Sequence, residues 1–139
     1  MWYYEGKEFT SDMIGDNIGF VYIITNKQNG MKYVGKKLFR STRKLPPLKG
    51  QKRRRTKIVE SDWQTYYGSS EETQAIVEEH GGEIFHREIL HLCKTKGVMS
   101  YLELVEQVER RVLLRDDYYN RIIQVKIHAS HVNSLRGDN

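Results

Sequence analysis

Residues 20–35 read FVYIITNKQNGMKYVG, and the two halves of this stretch set the fold. Phe20 to Thr25 is a dense β-branched and aromatic run, and Met31 to Gly35 is a second one. The intervening Asn26-Lys27-Gln28-Asn29-Gly30 ends in an Asn-Gly pair, which readily takes the positive φ angles of a hairpin turn. An antiparallel hairpin is predicted, with Tyr22 and Tyr33 facing each other or close together on one surface.

Immediately downstream the charge changes. Lys36, Lys37, Arg40, Arg43, Lys44, Lys49, Lys52, Arg53, Arg54, Arg55 and Lys57 fall within 36–57 without one Asp or Glu, while the rest of the chain holds 18 acidic residues against 12 basic ones. A solvated loop explains such a run only in part. Each Lys or Arg that reaches a phosphate releases counterions, so a segment this basic suits a polyanion such as nucleic acid. Both prolines, Pro46 and Pro47, lie here, and residues 36–60 read as a long basic loop with a helical start near Leu38.

Further on, Ser70 before Glu71 and Glu72 is an N-cap with acids in the first turn, and Gly81-Gly82 is a stop, which predicts a helix over Glu71 to His80. Glu83 to Cys93 reads as a strand, completing a small antiparallel three-stranded sheet. Apolar residues at Val98, Tyr101, Leu102, Val105, Val108 and Val112 repeat at three and four, which predicts an amphipathic helix from Thr95 to about Leu114. The type of the segment from Arg121 to Ile127 stays open. The fold class is α+β, a three-stranded sheet flanked by helices.

The 139 residues leave room for one compact domain. No run approaches the roughly 18 apolar residues of a membrane span, and the first residues lack a secretory pattern, so the chain is expected in the cytoplasm. Cys93 is the lone cysteine, and His86, His91, His128 and His131 show no zinc spacing with it.

Tyr22 and Tyr33 on a hairpin, Gly35 after the second, the basic segment, an acid-bearing helix and Asn120 together resemble the GIY-YIG endonuclease superfamily. The likeness continues through Gly68-Ser69-Ser70 and the strand with Phe85 and Ile89-Leu90, and is similar to the catalytic domains of phage homing endonucleases. It departs at the first motif, where Phe20 stands in place of Gly and Gly19 lies one residue earlier. On this basis residues 19–123 form the nuclease-like domain, 1–18 an N-terminal extension and 124–139 a C-terminal tail.

The resemblance implies hydrolysis of DNA phosphodiesters with one divalent cation, Mg²⁺ or Mn²⁺, leaving a 5′-phosphate and a 3′-hydroxyl. Tyr22 would contact or deprotonate the attacking water and Tyr33 would support the same pocket. The family's helix-borne Arg falls on Arg43, with Arg40 as competitor, and a guanidinium there would stabilise the transition-state charge. Its metal-binding Glu falls on Glu103, with Glu109 and Glu106 as alternatives and a capping box with Ser100 as the structural explanation of Glu103. Asn120 would brace the site. Pro47 stands where the family often has His or Tyr, leaving Tyr66 or Tyr67 to fill that role or simply to pin the loop. Lys36, Lys37, Lys44, Lys52, Arg53, Arg54, Arg55 and Lys57 would hold double-stranded DNA. Specificity would come from the basic loop, a homodimer or a partner, and a non-catalytic nucleic-acid binder on the same fold is the rival.

Overall fold

The computed structural model describes residues 1–136. In chain order its elements are β1 (Trp2–Tyr4), β2 (Lys7–Phe9), β3 (Gly19–Asn26), β4 (Lys32–Leu38), β5 (Arg40–Leu45), β6 (Arg55–Glu60), α1 (Glu71–His80), β7 (Phe85–Cys93) and α2 (Lys96–Glu109), followed by a 3-10 segment over Ala129–Arg136. No described helix is long and apolar enough to cross a membrane.

The predicted central hairpin is present. β3 pairs antiparallel with β4, setting Tyr22 opposite Gly35 and Tyr33 opposite Ile24, and Gly30 closes the turn at φ 77°. α1 has the predicted bounds. Ser70 Oγ accepts from the Thr73 amide at its start, and Gly81 ends it at φ 84°.

Three expectations are corrected. The sheet has five strands rather than three, in the order β2-β1-β7-β3-β4, and it is mixed because β1 runs parallel to β7. The extra strands come from residues 2–9, which were expected to lie outside the domain. Each spans only three residues, too short for alternation to show, yet Trp2 and Phe9 are buried.

The basic stretch is not an irregular loop. β4 extends through Leu38, and β5 and β6 form a separate two-stranded antiparallel ribbon with Arg43 opposite Lys57. Arg43 is therefore on a strand, not a helix. The prolines sit beyond β5, where they interrupt no pairing.

The second helix stops at Glu109 rather than near Leu114. Arg111 takes φ 55°, and Val112 turns back so that its amide donates to Gln107 O at 3.1 Å, which satisfies the helix end and buries the Val112 side chain. Val112 thus belongs to the core without belonging to the helix. Residues 121–128 adopt no regular element. Part of the predicted tail, residues 137–139, lies outside the described residues.

Two apolar clusters cover the faces of the sheet. Phe20, Tyr22 and Ile24 point to one side, into Trp2, Phe9, Phe39 and Trp63, with Ile76 and Val77 of α1 packed against that cluster. Val21, Ile23 and Val34 point to the other, against Val98 and Met99 of α2. This period-two alternation fixes the register of β3, since a one-residue slip would exchange the two faces.

Candidate active site

The hairpin brings the two tyrosines onto one face. Tyr22 is fully buried, and opposite it Gly35 leaves the room its ring requires: a Cβ on Gly35 would lie 2.7 Å from Tyr22 Cζ and 3.0 Å from Tyr33 Cε1. The pairing of β3 with β7 slips between Val21 and Tyr22, where Leu90 is the extra, unpaired residue of a bulge on β7. Gly19 is equally constrained, since a Cβ there would meet Met99 Sδ at 2.6 Å and Lys37 O at 2.7 Å. Phe20, the departure from the family motif, fills the core against Phe39 and Trp2 with ring centroids 4.7 and 4.9 Å away.

The Tyr22 hydroxyl is buried with no hydrogen-bond partner among the described residues. Tyr33 differs, since its hydroxyl shares a 2.7 Å hydrogen bond with Ser69 Oγ. Burial first, then Tyr66, Tyr33 and Glu103 nearby, push the Tyr22 hydroxyl well above the usual tyrosine range. Tyr66 is close enough to add to this shift, but the two hydroxyls do not meet in hydrogen-bond geometry. Tyr33 is raised as well, by burial, with the Ser69 hydrogen bond opposing.

Position along α2 separates the three candidate carboxylates. Glu103 lies near enough to both tyrosines to raise them, and is itself pushed up by burial, with Lys36 pulling the other way. The Lys36 ammonium stands 3.9 Å from Glu103 Oε1 and donates to Ser100 Oγ at 2.8 Å. Glu106 is engaged elsewhere. It bonds His91 Nε2 at 2.7 Å and Arg110 Nε at 2.9 Å, and these two partners outweigh its burial and lower it. Glu109 is exposed at the helix end. The capping-box explanation of Glu103 fails, because the helix is capped by Thr95 and Ser100 lies inside it.

Asn120 is buried and grips the outer edge of β4 from both sides of one residue. Its Oδ1 accepts from the Val34 amide at 3.0 Å, and its Nδ2 donates to Val34 O at 2.9 Å. Gln107, one turn beyond Glu103, adds a 3.2 Å donation to the same carbonyl.

Arg43 and Arg40 stand outside this cluster. Both are exposed on β5, and Arg40 reaches Gly15 O at 3.4 Å. The cations that do reach it are Lys36, on the α2 face of β4, and Lys37, on the tyrosine face. Lys37 lies 4.2 Å over the Tyr66 ring and 2.6 Å from Asp62. Lys44, Lys52, Arg53, Arg54, Arg55 and Lys57 are exposed on the ribbon and its tip.

Sequence reasoning passed over Arg87, Gln107 and Ser69. Arg87 is buried beneath the loop that carries Tyr66, donating to Tyr66 O at 2.8 Å and Gln64 O at 3.0 Å, with Trp2 and Tyr67 rings against its guanidinium. Its signal was a cation at the inward position between Phe85 and Ile89 of an apolar strand. The sign for Gln107 was its i+4 spacing from Glu103. Tyr67 packs on Phe85 and Arg87, so of the two candidate tyrosines only Tyr66 faces the site.

The family model described as "Putative endonuclease segE, GIY-YIG domain" matches residues 2–123. The chain belongs to the SegE-type GIY-YIG domain family. The match begins at Trp2, and so takes in β1 and β2 along with the rest of the sheet of this GIY-YIG domain. Neither curated proteins nor solved structures give a match. The family's description points to a nuclease, and a nuclease domain implies DNA as substrate.

Glu103 offers a hard oxygen donor of the kind that Mg²⁺ or Mn²⁺ takes. No group of three or more His, Cys, Asp or Glu comes together among the described residues. Mg²⁺ and Mn²⁺ need less, since Mg²⁺ keeps several waters and binds through one or two carboxylates. Glu103 supplies one, with the Lys36 ammonium 3.9 Å away, and its charge reaches the orphaned Tyr22 hydroxyl.

Proposed function

We propose that this chain is a divalent-metal-dependent endodeoxyribonuclease. The observation that carries the proposal is the Tyr22 hydroxyl, buried and without a partner among the described residues, beside Tyr33 and near enough to the Glu103 carboxyl to be raised by it. An orphaned buried hydroxyl costs free energy that a purely structural position would avoid by Phe, and such groups gather at working sites.

In this reading Glu103 holds Mg²⁺ or Mn²⁺, which when bound supplies positive charge to the phosphate oxygens. Tyr22 positions the attacking water. Because its hydroxyl is held protonated, it acts as a hydrogen-bonding group toward that water rather than as a standing phenolate. Water attacks phosphorus as the bond from phosphorus to the 3′ oxygen breaks, a proton given up by the water is balanced by one gained at the departing 3′ oxygen, and the products are a 5′-phosphate and a 3′-hydroxyl. Tyr33, tethered to Ser69, borders the pocket, and Lys36 and Lys37 contact the phosphate. Asn120 keeps β4, which carries Tyr33 and both lysines, in register. The Tyr22 hydroxyl is sealed from solvent, so engaging substrate requires the segment with Tyr66 to give way. Arg43, exposed on the ribbon, contributes through DNA binding.

Nicking of supercoiled plasmid with and without Mg²⁺ tests this. Cleavage that needs the metal and disappears in Glu103→Gln is the expected result. Duplex binding without any cleavage would leave a binder on the same fold.

A further inference from the structure

The β5–β6 ribbon has no folding role that accounts for it. Residues 40–44 and 55–58 are exposed on both faces, and the two strands pair only with each other. Isolated two-stranded ribbons are marginal in water, and like charges directly opposite weaken them further. Here Arg43 faces Lys57, with Arg55 next on the same side. A polyanion turns that repulsion into attraction.

The ribbon is also anchored at its base. Phe39 is fully buried, the Ser61 amide donates to Phe39 O at 2.8 Å, and Ser61 Oγ donates to Leu38 O at 2.6 Å. It therefore extends from β4, the strand that carries Tyr33, Lys36 and Lys37.

We propose that the β5–β6 ribbon enters the major groove of duplex DNA and reads base edges with Arg43, Arg55 and Lys57. Two paired strands lie about 4.8 Å apart and, with side chains, fit a groove about 12 Å wide. Alternation puts Arg43, Arg55 and Lys57 on one face, and Arg40 and Lys44 on the other. Arg and Lys are the side chains that donate to the O6 and N7 acceptors of guanine, so the preferred site is rich in guanine. Lys49, Lys52, Arg53 and Arg54, in the segment joining the strands, meet phosphates beside the groove. The deep, narrow major groove of A-form RNA would not admit the ribbon. The proposal rests on duplex DNA being the substrate, and makes the ribbon the element that chooses where on the duplex the domain sits.

The test is run in excess chelator, so that it reads binding alone. Wild-type protein selects from duplex DNA with a randomised core, and guanine N7 reactivity toward dimethyl sulfate is then mapped on the selected duplex. An enriched guanine-containing motif with protected N7 atoms is expected, and the combined R43A, R55A and K57A variant should lose both, with discrimination falling on the order of tenfold for each guanine no longer read. Removing exposed, mutually repelling cations leaves the fold intact, which an unchanged or raised Tm would verify. The combined R40A and K44A variant should keep the motif at lower affinity. Absence of a motif, unprotected N7 in the wild type, preference for duplex RNA, or a motif that survives R43A, R55A and K57A would each overturn the proposal. Because no cleavage is involved, a protein that passes this test and fails to nick plasmid would refute the nuclease assignment and leave the ribbon assignment standing.

Discussion

The Tyr22 ring occupies the space that any side chain at Gly35 would need. A Cβ on Gly35 would come within 2.7 Å of Tyr22 Cζ and nearer still to the hydroxyl oxygen. Gly35→Ala should therefore destabilise the protein by about 1–3 kcal/mol, the usual cost of overpacking, and displace Tyr22. Tyr22→Phe alone should leave stability equal or higher, because it removes an unpartnered buried hydroxyl, while lowering cleavage by on the order of 10² or more. Combining the two should recover part of the Gly35→Ala loss. Urea denaturation of both single variants and the double variant measures this coupling, and strict additivity would place the clash elsewhere.

Glu103→Gln should separate stability from activity in a pH-dependent way. Burial raises the Glu103 carboxyl, so its folded pKa lies above the unfolded value. A raised carboxyl favours folding while protonated, and that contribution is lost as pH rises through the folded pKa. Gln stays neutral throughout. The variant should thus match wild type below the ordinary carboxylate range and melt at a higher temperature near neutral pH, while showing no cleavage. Thermal melts across this range decide it; a variant less stable than wild type at neutral pH would mean that the Lys36 pairing outweighs the burial cost.

Asn120→Ala strips both hydrogen bonds from Val34. Each buried backbone group left unpaired costs about 1–3 kcal/mol, although Gln107 retains its donation to Val34 O. The Val34 amide should lose hydrogen-exchange protection selectively in this variant. Uniform loss across the sheet would instead indicate global destabilisation.

Duplex binding should weaken steeply with salt. Neutralising Lys52, Arg53 and Arg54 should flatten the slope of log K against log salt by about 0.9 for every phosphate that these side chains had neutralised. An unchanged slope would exclude them from the interface.

The central hairpin and α1 could be predicted because alternation, an Asn-Gly turn, a Ser cap and a Gly stop act locally. Glu103 came from resemblance, and structure separates it from Glu106 by the His91 and Arg110 contacts that depend on tertiary placement. β1 and β2 were hidden because three-residue strands carry no readable period and gain their burial from distant partners such as Trp63. The ribbon was hidden by its composition. Exposed strands need no apolar alternation, so Arg40–Leu45 and Arg55–Glu60 look like loop. The helix expected around Arg43 was misplaced for the same reason, since the chain stays extended there.

The parallel pairing of Trp2 with Arg87 imposes an order on biosynthesis. While the ribosome makes residues 3 to 86, the first strand has no neighbour on its β7 side, a wait on the order of several seconds at roughly 5–20 residues per second. The β3–β4 hairpin is local and can form during that interval, whereas the sheet closes only once β7 has emerged to be gripped on one edge by β3 and on the other by β1. A ribosome stalled before Cys93 would therefore hold the nascent chain with Trp2 lacking its β7 neighbour, open to chaperones and proteases, until that last strand arrives.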